Sequence, residues 1–266
     1  MMTNDELDHD LRRADVEGAQ RLLDAVERDG VAPLPALMVV DLCLLNAHRQ
    51  AMFDEAALEV WAALTGEARE SFGGEALDGL VQRGLLTRAA NRGYSQATQT
   101  RYRMHPGLAM ILEARAKPTW LAVCSIANTA HTGYRMYGLG DTREPWLAAV
   151  VEQPREEPRT EAALPKLSDL GKIYDYLLAS TAGAADLLAA WATGTPGDSR
   201  AQARHRRVDV YHHHAGQPLS RLRISLEVDP YGVRASIGEP GAEQDLGPRD
   251  RKSLATLVED AIRRHP

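Results

Sequence analysis

Cysteines, aromatic residues and long apolar runs are all scarce in this sequence. Its two cysteines among 266 residues, Cys43 and Cys124, both lie in apolar segments. Two cysteines cannot form a disulfide framework, which favours a reducing compartment over secretion. No apolar stretch reaches the roughly 18 to 20 residues that cross a bilayer, and the N-terminus lacks the basic start and apolar core of a signal peptide. We therefore expect a cytoplasmic protein without a membrane span.

The composition is otherwise typical of a globular protein. Hydrophobic residues make up 44% of the chain and charged residues 26%, which excludes wholesale disorder and a fibrous rod. Lys and Arg number 31 and Asp and Glu number 37, a net charge of −6 that is too acidic for a protein whose whole surface coats nucleic acid. The aromatic content of 5% also argues against extensive stacking on bases.

The first 118 residues carry the apolar spacing of several helices. The first helical segment covers residues 5–28 and ends at Gly30, before a turn at Pro33-Leu-Pro35. Three further helical segments follow, centred on residues 37–45, 58–64 and 75–86, with Gly66 and the Gly73-Gly74 pair as the boundaries of the last two. A polar loop and a short helix that starts at Pro106 complete this region.

The remaining residues predict two similar halves, each with four strands and one helix. The predicted strands cover residues 120–126, 134–139, 146–152 and 158–164 in the first half, and 208–213, 222–228, 231–237 and 242–246 in the second. Each half closes with an apolar helical stripe, one capped by Ser168 and carrying Leu170 to Leu178, the other starting 84 residues later at Leu254. A helix over 181–191 and a turn at 194–199 connect the halves.

This pattern predicts an α+β fold with a quasi-twofold central sheet. Two antiparallel β-meander and helix units form the sheet, accompanied by helical bundles and a winged-helix-like N-terminal segment. The expected divisions are 1–118 for the helical region, 119–180 for the first meander and 181–266 for the helical linker and second meander, with 119–266 sharing one sheet.

The sequence lacks the common catalytic motifs. Gly138-Leu-Gly140 has neither the third glycine nor the lysine of a phosphate-binding loop, and no serine, cysteine or zinc motif stands out. His212 and His214 share one strand face, but a zinc site needs further ligands, so we expect a solvated strand end. The lone histidines His105 and His131 are expected to be capping or surface residues. We predict no enzyme, no metal site and no cofactor.

Four glutamates form an acidic cluster that resembles a catalytic carboxylate pair. These are Glu152, Glu156, Glu157 and Glu161, and Arg155 and Arg159 interleave with them. Alternating charges of this kind are typical of ordinary exposed turns. We therefore expect the cluster to be solvated rather than catalytic.

One segment is strongly basic. Residues 79–140 contain eight lysines and arginines and a single acidic residue, Glu113. A helix, a strand, a polar loop, a strand and a helix follow one another here, which is the order of elements in a winged helix. The alternative function is therefore a DNA-binding transcriptional regulator that uses residues 79–117, with phosphate or base contacts from Gln82, Arg83, Arg88, Arg92, Arg101 and Arg103.

The element order of the whole chain resembles that of the EspG family of type VII (ESX) secretion-associated proteins. An opening helix leads to Leu34-Pro35, a later helix ends in Arg83-Gly-Leu-Leu86, and a further helix starts at His105-Pro-Gly. Two meanders, each with a helix, follow. The second half carries Asp229-Pro-Tyr-Gly232 where many relatives have an Asp followed by Gly-Arg-Tyr, a partial match.

The resemblance implies a cytosolic, non-enzymatic chaperone for a helical export substrate of the PE/PPE or WXG100-like type. Such a chaperone binds the aggregation-prone tip of its substrate through an exposed patch with apolar residues and a polar rim. The contact regions that the resemblance implies are the turn after the first strand and neighbouring sheet residues: Asn128, Thr129, His131, Tyr134, Met136 and Trp146. The turn is shorter here than in many substrate-binding relatives. We expect a monomer or weak homodimer without a membrane partner, and a nucleic-acid partner only under the DNA-binding alternative.

Overall fold

Helices pack on both faces of a nine-stranded sheet, but on one of these faces the described helices cover only part of the strands. The structure, a computed structural model, describes residues 4–45, 60–88, 102–126, 132–140, 148–155, 167–194, 205–212, 220–229 and 232–263. All neighbouring strands of the sheet run antiparallel in this part of the chain. The fold class is therefore α+β, as the sequence predicts.

The described residues contain six helices with both ends defined, and three of them begin at a capping side chain. They are α1 (Asn4–Asp29), α2 (Val39–Leu44), α3 (Gly66–Gln82), α4 (Pro106–Ala116), α5 (Thr181–Thr193) and α6 (Arg251–Arg263), and a short 3₁₀ helix covers Leu167–Gly171. The side chains of Thr65, His105 and Ser180 accept backbone N–H bonds at the starts of α3, α4 and α5. The capping role expected for His105 is confirmed.

Eleven strands are described, and nine of them form the main sheet. They are β1 (Val31–Met38), β2 (Leu86–Arg88), β3 (Tyr102–Met104), β4 (Trp120–Ile126), β5 (Thr132–Leu139), β6 (Ala148–Pro154), β7 (Ile173–Ala179), β8 (His205–His212), β9 (Ser220–Asp229), β10 (Gly232–Gly238) and β11 (Gln244–Arg249). The order in the sheet is β1-β7-β6-β5-β4-β8-β9-β10-β11, while β2 and β3 pair only with each other. The strands β2 and β3 lie between α3 and α4 in the chain.

The sheet is arranged around its central strands β4 and β8. On one side of this pair, β5, β6 and β7 follow β4 in chain order, and on the other side β9, β10 and β11 follow β8. Each set of four strands is followed by one helix, α5 after β7 and α6 after β11, and these two helices pack against each other. We call β4–β7 the first half-sheet and β8–β11 the second half-sheet.

The helix predicted from Ser168 to Leu178 is wrong. A single 3₁₀ turn ends at Gly171, and the residues that follow form the strand β7 between β1 and β6. Tyr176 and Leu178 face one apolar core and Ala179 faces the other, so both faces of the strand are covered. A strand buried on both faces shows no alternation of apolar and polar residues, and its pattern is easily mistaken for a helical one. The helix that matches α6 is therefore α5.

Two boundaries of the N-terminal region also differ from the prediction. The Pro33-Leu-Pro35 segment is not a turn but part of β1, an edge strand whose register with β7 shifts between Leu34 and Leu37. Proline is tolerated at such an edge because one side of the strand donates no ladder hydrogen bonds. The Gly73-Gly74 pair lies inside α3 rather than at a helix boundary. The strand predicted at 158–164 lies outside the described residues.

Each face of the sheet contributes to its own apolar core. On one face, α5 and α6 pack on residues from both half-sheets, including Trp120, Met136, Val208 and Ile224. Trp120 fits there because Gly138 lacks a side chain, and a β-carbon at Gly138 would overlap the indole. On the other face, helices from the N-terminal region pack on β1 and the first half-sheet. Both cysteines are buried and unpaired, as expected.

Candidate protein-binding surface

The second half-sheet has one face that no described helix covers with an apolar core. Val208, Val210 and Ile224 point toward α5 and α6, so the residues between them point to the other side. The apolar core on that other side contains no described residue of β9, β10 or β11, and Tyr211 is its one contact on β8. We call this surface, formed by β8, β9 and β10, the open face.

Three arginines and one aspartate dominate the open face next to Tyr211. Asp209 on β8 is opposite Arg223 on β9, whose Nε donates to Asp209 Oδ1 at 2.8 Å. Arg221 Nη2 donates to Asp209 Oδ2 at 2.7 Å, and its guanidinium lies 5.4 Å from the centre of the Tyr211 ring. Arg207, two residues before Asp209, has no carboxylate partner among the described side chains. We call these five residues the arginine cluster.

The arginine cluster has a surplus of positive charge. Arg221 and Arg223 share the carboxylate of Asp209, Arg207 adds a third guanidinium group, and Arg221 keeps 37% of its side chain exposed. Burial alone would raise the pKa of the Asp209 carboxyl, but hydrogen bonds from Arg223 and Arg221 outweigh burial and hold that pKa below its ordinary value. Burial and the charge of Asp209 raise the pKa of Tyr211. Asp209 is therefore ionised and Tyr211 neutral at pH 7.

The lowered pKa of Asp209 predicts an acid-sensitive contribution to stability. Replacing Asp209 with asparagine is expected to reduce the free energy of unfolding at pH 7 by about 1–3 kcal/mol, because the charge-assisted hydrogen bonds from Arg221 and Arg223 are weakened. A carboxyl whose pKa is lower in the folded than in the unfolded state stabilises the fold at any pH above its unfolded pKa of about 3.9. This stabilisation is lost as the pH falls through the folded-state pKa. The difference between variant and wild type should thus shrink as the pH falls below about 3.9.

Urea unfolding at a series of pH values measures this difference directly. The exposed Asp186, changed to asparagine, is the matched control and should leave the unfolding midpoint unchanged at neutral pH. An Asp209→Asn deficit that does not shrink as the pH falls below about 3.9 would contradict the assignment of the lowered pKa to this carboxyl.

A second charged cluster is fully buried and ties α4 to the sheet. Glu152 on β6 forms ion pairs with Arg115 of α4 and Arg135 of β5, both at 2.8 Å. The hydroxyls of Tyr176 and Tyr137 also donate to Glu152, at 3.0 and 3.3 Å. Burial, together with the charge of Glu152, raises the pKa of the Tyr137 hydroxyl. Glu152 is therefore a structural group, and the expectation that it lies on a solvated turn is wrong.

A third cluster links α5 to the second half-sheet. Arg206 of β8 is buried, donates to the backbone carbonyl of Trp191 and lies over its ring, with 5.2 Å between guanidinium carbon and ring centre. The ring of Tyr134 on β5 meets Trp191 edge-on at 6.1 Å. Nearby, His212 is buried and its Nε2 lies 3.1 Å from the carbonyl oxygen of Ala261 on α6. The solvated strand end expected at His212 is therefore wrong, while His213 and His214 lie outside the described residues.

The predicted partner contacts do not form a described surface. Met136 is fully buried beneath α5 and α6, so the prediction that it contacts a partner is corrected. Tyr134 is half-buried against Trp191 on the same side of the sheet. The other four predicted residues, Asn128, Thr129, His131 and Trp146, lie outside the described residues.

Most described cations of the basic segment pair with acidic residues from other parts of the chain. Arg83 donates to the buried Asp41 at 2.8 Å and to the carbonyl of Ala36. Arg103 pairs with Asp15 at 2.7 Å, and the exposed Arg88 lies 3.9 Å from Asp78. Arg115 and Arg135 are buried around Glu152. Gln82 ends α3, while Arg92 and Arg101 lie outside the described residues.

The sequence analysis missed the arginine cluster, although a signal was available. Charged residues recur at every second position in two segments, His205-Arg-Arg-Val-Asp-Val-Tyr and Ser220-Arg-Leu-Arg-Ile-Ser. In a strand these charged residues share one face, and the apolar residues between them share the other. Adjacent strands with this pattern bring their charged faces together when they pair in register. The register of β8 with β9, which neither segment reveals by itself, decides that Asp209 meets Arg223.

Comparisons with other proteins add no identification. No known protein family matches the chain, and no characterised protein matches its sequence. Among the described side chains, no three histidine, cysteine, aspartate or glutamate residues come together as a metal site would require. In the same part of the chain, no helix has both the length and the apolar character of a membrane span.

Proposed function

We propose that the chain is a non-enzymatic chaperone-like adaptor of the EspG type. In this proposal it binds a helical type VII secretion substrate in the cytoplasm and keeps that substrate soluble before export. The observation that carries the proposal is the open face. Helices cover the corresponding positions of the first half-sheet, whereas on the open face these positions present charged and polar side chains. A large sheet surface without an apolar cover is suited to binding another protein.

The contact that we propose is more polar than the sequence analysis expected. The large apolar side chains exposed in the described residues are Val16, Val31, Met104 and Leu167, and none belongs to β8–β11. They are scattered over different elements, so they form no apolar patch with a polar rim. Interfaces of moderate stability are often no more apolar than the rest of the surface, and charge complementarity then supplies specificity.

Co-expression with candidate substrates tests the proposal. Each PE/PPE or WXG100-like pair encoded near the gene is produced with and without the chain, and its soluble fraction and elution volume are measured. We expect one pair to co-elute with the chain at a defined stoichiometry and to precipitate without it. If every pair is equally soluble without the chain and none co-elutes, the adaptor function is refuted.

The DNA-binding alternative is tested by the same purified protein. Its support is the order of α3, β2, β3 and α4 together with the exposure of Arg88. Its weakness is that Arg83, Arg103, Arg115 and Arg135 already pair within the chain. A nucleic-acid contact through phosphates gives an affinity that falls steeply with salt. Salt-dependent DNA binding that is lost on changing Arg88, Arg92 and Arg101 to alanine would favour the regulator instead.

A further inference from the structure

We propose that the arginine cluster recognises carboxylate side chains on one helix of the partner protein, which lies across β8, β9 and β10. This inference rests on the proposed adaptor function, because it names the chemistry of the partner at the same surface. It assigns a role to Arg207, Arg221 and Arg223 that is separate from the basic segment of the N-terminal region.

The first half-sheet shows how a helix docks on this sheet face. There, α4 lies against β1, β5 and β6 and buries Arg115, which pairs with Glu152 of the sheet. The helix supplies one arginine, β5 supplies a second, Arg135, and β6 supplies the carboxylate. A buried charge is tolerated in such an interface when it is paired and hydrogen-bonded.

The second half-sheet carries more arginines than carboxylates in the arginine cluster. Arg223 and Arg135 occupy corresponding positions. Each lies on the second strand of its half-sheet, β9 or β5, and on the side away from α5 and α6. Here the arginine cluster carries the surplus cations, Glu227 of β9 lies on the same face opposite Arg234, and no ion pair joins Arg207 to a described carboxylate. A helix that completes this face must therefore bring carboxylates rather than cations.

The dimensions of the open face suit one helix. Strands are spaced about 4.8 Å apart, so the four strands of the second half-sheet span about 15–20 Å. An α-helix with its side chains is about 10–12 Å wide. Residues spaced three and four apart on a helix face one side, so two or three glutamates at this spacing can reach Arg207, Arg221 and Arg223 together. Guanidinium groups bind carboxylates through two parallel hydrogen bonds, which favours this pairing over a diffuse attraction.

Binding of a designed helical peptide tests the inference. The probe is an alanine-based helix of about 20 residues, long enough to be helical in water, with glutamates on one side and a label for fluorescence anisotropy. Its matched partner has glutamine at every glutamate. We expect the glutamate peptide to bind the full chain and the glutamine peptide to bind about tenfold or more weakly, since the charge pairs are lost. Equal binding of the two peptides would overturn the inference.

Variants of the chain locate the contact. Changing Arg207 to glutamine removes a cation that holds no described carboxylate, so the fold should remain intact while affinity for the glutamate peptide falls about five- to thirtyfold. Changing Arg207 to lysine keeps the charge and should recover part of the affinity. The control is Arg251→Gln, an exposed residue at the start of α6, which should alter affinity by less than about twofold. Unchanged binding by Arg207→Gln, or equal losses in both glutamine variants, would refute the site.

Two further measurements distinguish carboxylate recognition from a loss of folding and from nucleic-acid binding. Circular dichroism and urea midpoints verify that each variant is folded. If Arg207→Gln is not folded, Arg221→Gln serves as a second probe of the same face. Duplex DNA at the same concentration of negative charge is the competing ligand, and tighter binding of DNA through these arginines would overturn the helix assignment.

The peptide and co-elution results together separate the inference from the adaptor function on which it rests. Loss of peptide binding in the variants with retained co-elution of a secretion pair refutes the cluster as the substrate contact but preserves the adaptor function. Absence of co-elution with intact peptide binding refutes the adaptor function alone.

Discussion

Changing Glu152 to glutamine is expected to lower the free energy of unfolding by about 3–5 kcal/mol. Glu152 is 1% exposed and is the carboxylate shared by Arg115 and Arg135, which are also buried. Glutamine has nearly the same shape, so the change removes charge without creating a cavity. Two buried guanidinium groups then lose their common counter-charge, and the hydroxyls of Tyr137 and Tyr176 lose an ionised acceptor.

Urea unfolding monitored by circular dichroism at pH 7 measures this loss. The matched control is Glu70→Gln, the same chemical change at an exposed position of α3, where we expect a change within about 0.5 kcal/mol. Changing Arg115 to methionine in the Glu152→Gln background removes one of the unpaired cations and should recover part of the stability. A loss below about 1 kcal/mol for Glu152→Gln would show that the cluster is far less desolvated than its geometry indicates.

The fold class could be predicted from the sequence because most elements carry a clear local pattern. The helical stripe from Leu254 to Ile262 and the alternation in β8, β9 and β10 face apolar cores on one side only. Such elements alternate between apolar and polar residues with the period of their secondary structure. Within each half-sheet the strand order follows from connections between consecutive antiparallel neighbours, whereas the pairs β1–β7 and β4–β8 join strands that are distant in the chain.

The errors fall where an element has no distinct local pattern. The strand β7 is covered on both faces, so its apolar residues carry no period of two. The edge strand β1 contains Pro33 and Pro35, which are typical of turns, and its place in the sheet depends on its distant partner β7. In both cases the tertiary context decides the structure, and this context is not encoded within a short window of sequence.

The charge of the basic segment could not be interpreted without the fold. Arg83 and Asp41 are 42 residues apart in the chain, and Arg103 and Asp15 are 88 residues apart. Charges counted along the sequence therefore show an excess that the fold largely neutralises. The arginine cluster is the converse, since the sequence around Asp209 has mixed charges while the pairing of β8 with β9 collects three arginines on one surface.

The helix α5 packs on the side of the second half-sheet that is opposite the open face. α5 follows the first half-sheet in the chain, but its Trp191 packs over Arg206 of β8, directly behind the arginine cluster. The side chains of β8 alternate, so Arg206 anchors the strand from one side while Arg207 is presented on the other. A firm anchor behind the cluster limits the conformational entropy that the arginines lose on binding a partner.

Truncating Trp191 to alanine is therefore expected to lower the free energy of unfolding by about 3–5 kcal/mol, the usual cost of removing a buried aromatic side chain. Trp191 is 6% exposed, and its loss removes the ring contacts with Tyr134 and Arg206 and leaves a cavity under α5. Trp191→Phe is the matched control. Because the indole N–H of Trp191 donates to no described acceptor, phenylalanine loses only contact area, and its cost should be about 1–2 kcal/mol.

Urea unfolding measures the stability of these two variants. Following it both by far-ultraviolet circular dichroism and by intrinsic fluorescence also tests whether the half-sheets unfold together. If the packing of α5 on β8 joins them, Trp191→Ala should lower both transitions by the same amount, and the two signals should coincide. The designed glutamate helix should also bind Trp191→Ala more weakly than wild type under conditions where the variant is folded, because β8 loses its support behind Arg207. A cost below about 1 kcal/mol for Trp191→Ala would contradict the burial of this ring between the halves.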